Sequence, residues 1–213
     1  MKIKWYGHSC FMLKNDAGVR IVTDPCDPAT GYTLCGIEAD ILTLSHSHHD
    51  HNFTDAIEGS PEIITEIGEY ECKGVKITGI PSYHDADGGA KRGENIVFKF
   101  ETDGLCIVHA GDLGAFDEEL AERIGKTDVL LVPVGGVYTI NAGQARELAN
   151  MLRAKVVIPM HYKTPALTFE LDSVNEFIKN AADCSIHDLK QSEATVSADC
   201  LGTDRILILQ YEQ

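Results

Sequence analysis

The stretch Ser45-His46-Ser47-His48-His49-Asp50-His51-Asn52 contains four of the nine histidines in this chain of 213 residues. It follows the apolar run Ile41-Leu42-Thr43-Leu44, which is short, partly β-branched and bounded by polar residues. The run therefore predicts a buried strand that ends where the histidines begin. Because alternate side chains of an extended segment share one face, His46 and His48 can reach a single metal ion. The stretch predicts a metal site at the C-terminal end of a strand.

The same stretch fits the pattern H-x-H-x-D-H, whose last two positions are Asp50 and His51. After a turn, these two side chains can bind a second metal ion. Chance matches to the pattern in a chain of this composition are expected on the order of one in a thousand. A solvated polar loop is the alternative interpretation, but such a loop has no reason to concentrate imidazoles.

The pattern resembles the metal-binding signature of the metallo-β-lactamase-fold hydrolases, which also requires a further His, an Asp and a last His, each after its own strand. This chain has His84, Asp112 and His161 at such places. The resemblance runs almost end to end and is nearest to the small, stand-alone branch of ascorbate-6-phosphate lactonase-like proteins. It implies an α/β fold, a four-layered αβ/βα sandwich of two mixed β-sheets, with the site along an edge where strands end.

The resemblance also implies roles for individual residues. Asp24, at a strand end, is expected to support the ligands from behind, whereas His109, three residues before Asp112, is by its position either such a supporting residue or a core residue. His8, in the segment Gly7-His8-Ser9, is either a core histidine at a turn or a residue of the site, where we expect a catalytic role. The implied ligands are His46, His48 and His84 on one metal, Asp50, His51 and His161 on the other, and Asp112 between both.

Imidazole and carboxylate ligands suit zinc, and they also suit manganese or iron. We expect two zinc ions per chain, which would lower the pKa of a bridging water and polarise a carbonyl or phosphoryl oxygen. Asp50 could then handle the proton. The sequence has no G-x-S-x-G nucleophile elbow, P-loop or dinucleotide fingerprint. These features predict a metal-dependent hydrolase that uses a metal-bridged hydroxide on a small ester, lactone or phosphodiester.

Other classes of function stay open from the sequence. A phosphodiesterase or nuclease acting on nucleic acid, an iron-dependent redox protein and a non-catalytic metal-binding protein could all use these ligands. The formal charge of −15 repels long polyanions, so we expect a small-molecule partner, which could be phosphorylated. Four polar-tipped residues near the ligands are candidate substrate contacts, with packing at loop edges as the alternative: Tyr83, Arg92, Tyr138 and Lys163.

The length and a hydrophobic content of 44% are ample for one compact core, and we expect a single domain over residues 1–213. No apolar run approaches a membrane span, and the first residues lack the apolar region of a signal peptide. The seven cysteines form no C-x-x-C pair, which indicates reduced thiols. We therefore expect a cytoplasmic protein without a membrane partner, which could form a homo-oligomer.

Local signals predict the remaining elements. Residues 53–57 predict a short helix, and after position 117 strands and helices alternate in βαβ order. Asn141 followed by Gln144 predicts an N-cap, and Ser173-x-x-Glu176 predicts a capping box. The glycine-rich segment 85–93 predicts a loop that covers the site.

Overall fold

The computed structural model describes residues 1–202 and 205–212. Over these residues the chain forms sixteen β-strands and three α-helices. The strands are β1 Lys2–Gly7, β2 Cys10–Lys14, β3 Arg20–Thr23, β4 Ile37–Glu38, β5 Ile41–Thr43, β6 Ile57–Glu58, β7 Glu62–Ile64, β8 Gly68–Cys72, β9 Val75–Tyr83, β10 Glu94–Thr102, β11 Leu105–His109, β12 Val129–Pro133, β13 Val156–Met160, β14 Ser185–Asp188, β15 Glu193–Thr195 and β16 Arg205–Ile208. The helices are α1 Glu118–Ile124, α2 Ala142–Met151 and α3 Val174–Asn180.

Fourteen of these strands form two mixed sheets. The six-stranded sheet has the order β15-β1-β2-β3-β5-β7, antiparallel from β15 to β3 and parallel from β3 to β7. The eight-stranded sheet has the order β14-β16-β13-β12-β11-β10-β9-β8, parallel from β14 to β11 and antiparallel from there to β8. The predicted α/β fold with two mixed sheets is confirmed.

The six-stranded sheet buries both of its faces. Ile21 and Ile41 belong to the main core, which also contains residues of the eight-stranded sheet, whereas Val22 and Leu42 belong to a second cluster. Successive side chains of a strand point to opposite faces, so the second cluster lies on the outer face of this sheet. Loop residues complete it, among them Tyr32, Leu34, Leu167 and Leu171. Among the described residues, this outer layer consists of loops, a 3-10 turn and the short β4–β6 pair rather than α-helix.

The three described α-helices all follow the first half of the chain, and their apolar residues join the main core. The order β11-α1-β12-α2-β13 places parallel strands around α1 and α2, as predicted. The predicted cap of α2 is also confirmed. Asn141 Oδ1 accepts a hydrogen bond from the Gln144 backbone N–H at 3.0 Å, and the Asn141 N–H donates to Gln144 Oε1 at 2.9 Å.

Two local predictions have different outcomes. The short helix predicted over 53–57 is present as a 3-10 helix, Thr54–Ala56, which ends where Ile57–Glu58 pairs in parallel with Ile37–Glu38. The capping box predicted at Ser173 is wrong. The side chain of Ser173 makes no capping hydrogen bond at the start of α3. There the N–H of Glu176 donates to the backbone carbonyl of Ser173 at 3.1 Å, so the backbone supplies the acceptor.

The strand directions bring several strand ends to one edge of the molecule. β3 and β5 are parallel, and β9, β11 and β13 all run in one direction within the other sheet. The carboxyl ends of such strands open onto a common edge, which is where α/β folds place their sites. Among the described residues, no helix has the length and apolar character needed to cross a bilayer.

Candidate metal centre

The predicted ligands all leave the sheets at this edge. His46 lies three residues after β5, His84 directly follows β9, Asp112 lies three residues after β11, and His161 directly follows β13. The backbone of His161 has a φ of 50°, in the left-handed region that non-glycine residues rarely adopt. His8 and Asp24, at φ 49° and 40°, share this conformation. Such strained positions cost on the order of 1 kcal/mol each and cluster at functional sites.

Two groups of ligand atoms contain most of the predicted ligands, and a third, of Asp24, His46 and His51, connects them. The inner group consists of His8, Asp50, His51 and His161, and each of these residues has a ligand atom within 4.8 Å of those of the others. The three imidazoles of this group are completely buried. The outer group consists of His46, His48 and His84, which meet the same criterion, and His48 is exposed to solvent. Apart from His8, the members of each group are those that the resemblance implied for one metal, and their role as ligands stays a prediction.

Asp112 lies between the two groups and is 1% exposed. Its Oδ2 is 3.1 Å from His84 Nε2 in the outer group and 3.2 Å from His161 Nε2 in the inner group. Its Oδ1 is 3.1 Å from His51 Nε2. The carboxylate therefore contacts both groups, which is the position that the resemblance implied for it.

The donor atoms at the centre are buried without hydrogen-bond partners. His46 Nε2, His51 Nε2, His161 Nε2 and Asp112 Oδ1 all lack a partner of acceptable geometry, although some of them lie about 3.1 Å apart. Each unpaired buried polar atom costs about 1 to 3 kcal/mol of folding free energy. Because four such atoms meet at one place, the arrangement indicates a bound ligand. Imidazole nitrogens and carboxylate oxygens that converge on shared points are a donor set for divalent transition metals. The residues present fit a metal centre.

Asp24 holds one histidine of each group. Its Oδ2 accepts a hydrogen bond from His51 Nδ1 at 2.9 Å and from Ser45 Oγ at 2.5 Å. Ser45 Oγ in turn lies 2.9 Å from His46 Nδ1. Because the Nδ1 atoms are engaged in this way, Nε2 of both rings faces the centre, as in other carboxylate-supported metal sites. Asp24 is completely buried, and these contacts are consistent with the supporting role that the resemblance implied for it.

His109 is also completely buried, and its surroundings hold it away from the ligand groups. Its Nε2 lies 2.9 Å from the backbone carbonyl of Ser9, and its Nδ1 accepts from the N–H of Gly111 at 3.2 Å. Its nearest carboxylate oxygen in the centre is Oδ2 of Asp24, at 4.0 Å. His109 therefore ties the β11 end to the segment around Ser9 behind the centre.

His8 contacts the inner group directly. Its Nε2 lies 3.2 Å from Asp50 Oδ2, and its ring packs on that of His161 with centroids 4.1 Å apart. Burial, together with the neighbouring His161, lowers the pKa of His8 to about 4, even though Asp50 acts in the opposite direction. The imidazole is therefore neutral near pH 7, and its Nε2–H can donate to the Asp50 carboxylate.

The two groups contain histidines with opposite pKa shifts. Burial and the neighbouring His51 lower the pKa of His46 to about 3. His51 is more deeply buried, which by itself lowers its pKa, but the carboxylates of Asp112 and Asp24 outweigh burial and raise that pKa well above its ordinary value. These two carboxylates beside the inner group therefore favour a cation at His51.

The candidate substrate contacts lie in different surroundings. Arg92 and Tyr138 line the mouth of the centre, a cavity of about 340 Å³, together with Phe169. Tyr83 is 48% exposed and lines a neighbouring groove that reaches His46 and His48.

Lys163 is held elsewhere by the loop that follows it. Its Nζ donates to the backbone carbonyls of Leu167 at 2.9 Å and Phe169 at 2.8 Å, and it pairs with Glu170 at 3.1 Å. The structure therefore brings Tyr83, Arg92 and Tyr138 to the cavities beside the ligands. The predicted substrate contact of Lys163 is wrong, because its ammonium group is bound by the loop that follows it.

Sequence reasoning missed the role of Asn95. Its side-chain carbonyl accepts from the N–H of Asp112 at 2.9 Å, and its amide donates to Ser82 Oγ and to the carbonyl of Ala110. Gly111 completes the arrangement, because a Cβ there would lie 2.4 Å from Asn95 Oδ1 and φ is 56°. The local signal was an Asn near the start of strand β10. That this Asn faces the Gly111-Asp112 turn follows only from the pairing of β10 with β11.

Comparison with known proteins places this geometry in a family. Residues 2–161 match the family model described as the beta-lactamase superfamily domain. A UPF0173 metal-dependent hydrolase from Nitratidesulfovibrio vulgaris is 30% identical, covering 91% of this chain and 94% of the relative. A second, from Methanoregula boonei, is 28% identical, covering 91% of this chain and 97% of the relative.

Solved structures agree with this. A protein of Thermotoga maritima, provisionally assigned as a Zn-dependent hydrolase of the metallo-β-lactamase superfamily, superposes with a TM-score of 0.80. It is 39% identical over 98% of this chain and 99% of its own. The finer resemblance to ascorbate-6-phosphate lactonase-like proteins stays a prediction. The chain belongs to the metallo-β-lactamase superfamily and is a metal-dependent hydrolase.

Proposed function

We propose that the chain holds two zinc ions, one per ligand group, and hydrolyses a small ester, lactone or phosphodiester. The observation that carries this proposal is the pair of ligand groups that share Asp112 while their buried donor atoms lack hydrogen-bond partners. The outer ion would be held by His46, His48 and His84, the inner ion by Asp50, His51 and His161, and Asp112 would contact both.

Two divalent ions there would supply an activated water and would polarise the oxygen on which negative charge develops. The chain itself supplies the proton acceptor. Asp50 lines the mouth of the centre, and its pKa is held well below its ordinary value because the His8 hydrogen bond and His51 outweigh burial. Its carboxylate is therefore ionised near pH 7, and the hydrogen bond from His8 holds it at the mouth, where it would accept the proton.

The size and charge of the site support a small substrate. The mouth has a volume of about 340 Å³, which is within the range of pockets for small molecules. The formal charge of −15 repels a long polyanion. We therefore favour small esters and phosphodiesters over nucleic acid as the substrate. No disulfide occurs among the described cysteines, which supports a reducing compartment such as the cytoplasm.

The metal count is tested by elemental analysis of protein purified without added metal. The wild type is expected to carry two transition-metal ions per chain, and a His46→Ala/His48→Ala variant is expected to lose the outer one. His49→Ala is the matched control, because His49 belongs to the same stretch but is exposed and bonded to Asp27. An unchanged metal content in the double variant would contradict the assignment.

Hydrolysis is tested with a panel of chromogenic phosphodiesters, lactones, thioesters and β-lactams, with single-stranded RNA and DNA included, in the presence of Zn²⁺ or Mn²⁺. Turnover of a small ester class is expected, and Asp50→Asn is expected to reduce it by about a hundredfold or more. If an ester is turned over equally well by Asp50→Asn, the proton role is wrong. If nucleic acid is the best substrate, the inference from charge is wrong.

A further inference from the structure

The loop 85–93 is folded around a single carboxylate. Asp85 directly follows the ligand His84, is 9% exposed, and accepts hydrogen bonds from four backbone N–H groups of the loop. Its Oδ1 accepts from Asp87 at 2.8 Å and Gly89 at 2.9 Å, and its Oδ2 from Lys91 at 2.9 Å and Arg92 at 2.7 Å. These bonds outweigh the burial of the carboxyl and lower its pKa to about 2.

This folded loop is packed against the loop that carries Asp112. The N–H of Gly114 donates to the carbonyl of Tyr83 at 2.8 Å, and a Cβ on Gly114 would lie 2.3 Å from the Asp85 nitrogen. The end of the loop is closed by the N–H of His84, which donates to the carbonyl of Gly93 at 3.0 Å. The loop that carries Arg92 is therefore fixed against the backbone segments that carry the ligands His84 and Asp112.

The side chain of Arg92 extends from this loop over the mouth of the centre. Its guanidinium carbon lies 4.5 Å from the centroid of the Tyr138 ring, and Tyr138 in turn packs edge-on against Phe169 at 6.0 Å. Stacking uses the face of a guanidinium and leaves the N–H groups at its edge available. Among the described residues, no acceptor takes a hydrogen bond from the Arg92 side chain and no carboxylate pairs with it.

The charges around the mouth favour an anion once metal is bound. Arg92 is the only Lys or Arg among the described residues that line this cavity, and its acidic members are Asp50 and Asp112. Two divalent ions would more than neutralise these carboxylates, so the mouth would be positive within a strongly negative chain. The neighbouring Lys91 is engaged differently, because its Nζ pairs with Asp87 at 2.5 Å.

We propose that Arg92, positioned by Asp85 and stacked on Tyr138, recognises an anionic group of the substrate, a phosphate or a carboxylate beside the bond that is cleaved. The planar fork of the guanidinium matches two oxygens of either group. The inference rests on the proposed function for the cleaved bond, but the recognition of the anion is a separate property. It makes Arg92 a specificity-determining residue of this centre.

Equilibrium binding tests the inference without requiring turnover. Phenylphosphonate, benzoate and the neutral benzamide are titrated calorimetrically into the metal-loaded wild type and into Arg92→Gln, with Lys91→Gln as the matched control for loss of one positive charge. Arg92→Gln is expected to weaken phenylphosphonate or benzoate binding by about tenfold or more, since charge-assisted hydrogen bonds are lost. Benzamide binding and the metal content are expected to stay the same.

Two further variants separate recognition from general charge and from loop folding. Arg92→Lys keeps the charge without the fork and is expected to be intermediate. Asp85→Asn is expected to weaken anion binding, to speed hydrogen exchange of the Gly89 and Arg92 amides, and to leave the metal content unchanged. The relative affinities of phenylphosphonate and benzoate identify which anion the site prefers.

Equal binding of both anions by wild type and Arg92→Gln would overturn the inference, and so would equal losses in Arg92→Gln and Lys91→Gln. Loss of benzamide binding to the same extent as the anions would also overturn it, because the effect would then not concern charge. A chain that binds phenylphosphonate through Arg92 but hydrolyses no ester would contradict the proposed function alone.

Discussion

The inner and outer ligand groups are built from the same kinds of side chain, yet their surroundings differ. His51 and His161 of the inner group are completely buried, whereas His48 of the outer group is exposed. The inner group also contains the carboxylate of Asp50, and the outer group consists of imidazoles alone. Under the proposed two-ion arrangement, we expect the inner group to bind its ion more tightly, because charge attraction is stronger where solvent is excluded.

The difference also appears in the protonation of the two groups. The carboxylates of Asp112 and Asp24 raise the pKa of His51, whereas burial and the neighbouring His51 lower that of His46 to about 3. Without metal, the inner group therefore carries a proton at neutral pH while His46 is neutral. The comparison shows that placement among carboxylates, rather than the residue type, decides which imidazole exchanges a proton for a metal ion.

Asp112→Asn is expected to have the largest effect, because this carboxylate contacts both groups. We expect the metal content to fall below one ion per chain and hydrolysis to fall by at least about a thousandfold. Elemental analysis and turnover of the best ester from the panel measure both. Asp55→Asn, at an exposed position after the histidine stretch, is the control. Retention of one tightly bound ion would show that Asp112 serves only one group.

Asp24→Asn and Ser45→Ala are expected to change the metal affinities of the two groups to different extents. Asp24 supports His51 directly, so its loss should weaken the inner ion by about 10-fold to 100-fold. Ser45 connects Asp24 to His46, so Ser45→Ala should weaken only the outer ion, and by less. Competition with a chromophoric chelator gives both dissociation constants. Equal weakening of both ions by Ser45→Ala would contradict the division into two groups.

The smallest expected effect is the release of about one proton when the inner ion binds at pH 7. His51, whose folded pKa is raised, must lose its proton before Nε2 can bind a metal. The affinity of the inner group should therefore rise about tenfold per pH unit until the pH exceeds the pKa of His51. Binding of the outer ion should release almost no proton, because His46 is already neutral.

Calorimetric titration in buffers of different ionisation enthalpy measures this proton count for each ion. Metal-depleted protein is the starting material, and the two ions are compared within the same titration. If a proton were released with the outer ion and none with the inner one, the inferred difference in protonation between the two groups would be wrong.

Several features of the centre could be predicted because they depend on short stretches of chain. The spacing of His46, His48, Asp50 and His51 follows from one strand and one turn, and His161 follows its own apolar strand. Helix α2 was predicted with its cap because both partners of that cap lie within four residues. The proposed catalytic role of His8, the single domain and the substrate stay predictions.

Other features depend on contacts between distant segments. Lys163 follows the ligand His161 closely, but the chain turns back at Leu167 and Phe169 and offers carbonyls that hold its ammonium group away from the mouth. The short helix predicted over 53–57 ends at Ala56, because the next residues, Ile57–Glu58, pair with strand β4 from an earlier part of the chain. The local sequence pattern does not reveal such a pairing, because its free energy depends on a strand from another part of the chain.

The sequence by itself determined the type of fold and the chemistry of the centre, because strand periodicity and the spacing of metal-binding side chains are local properties. Only the tertiary structure decided how buried each ligand is, which carboxylates surround His51, and that Asp85 folds a loop to place Arg92 over Tyr138. These depend on which loops meet at the common edge of the two sheets. Solvent exclusion and charge there are set by residues from many parts of the chain, so their effects on pKa and metal binding follow only from the folded arrangement.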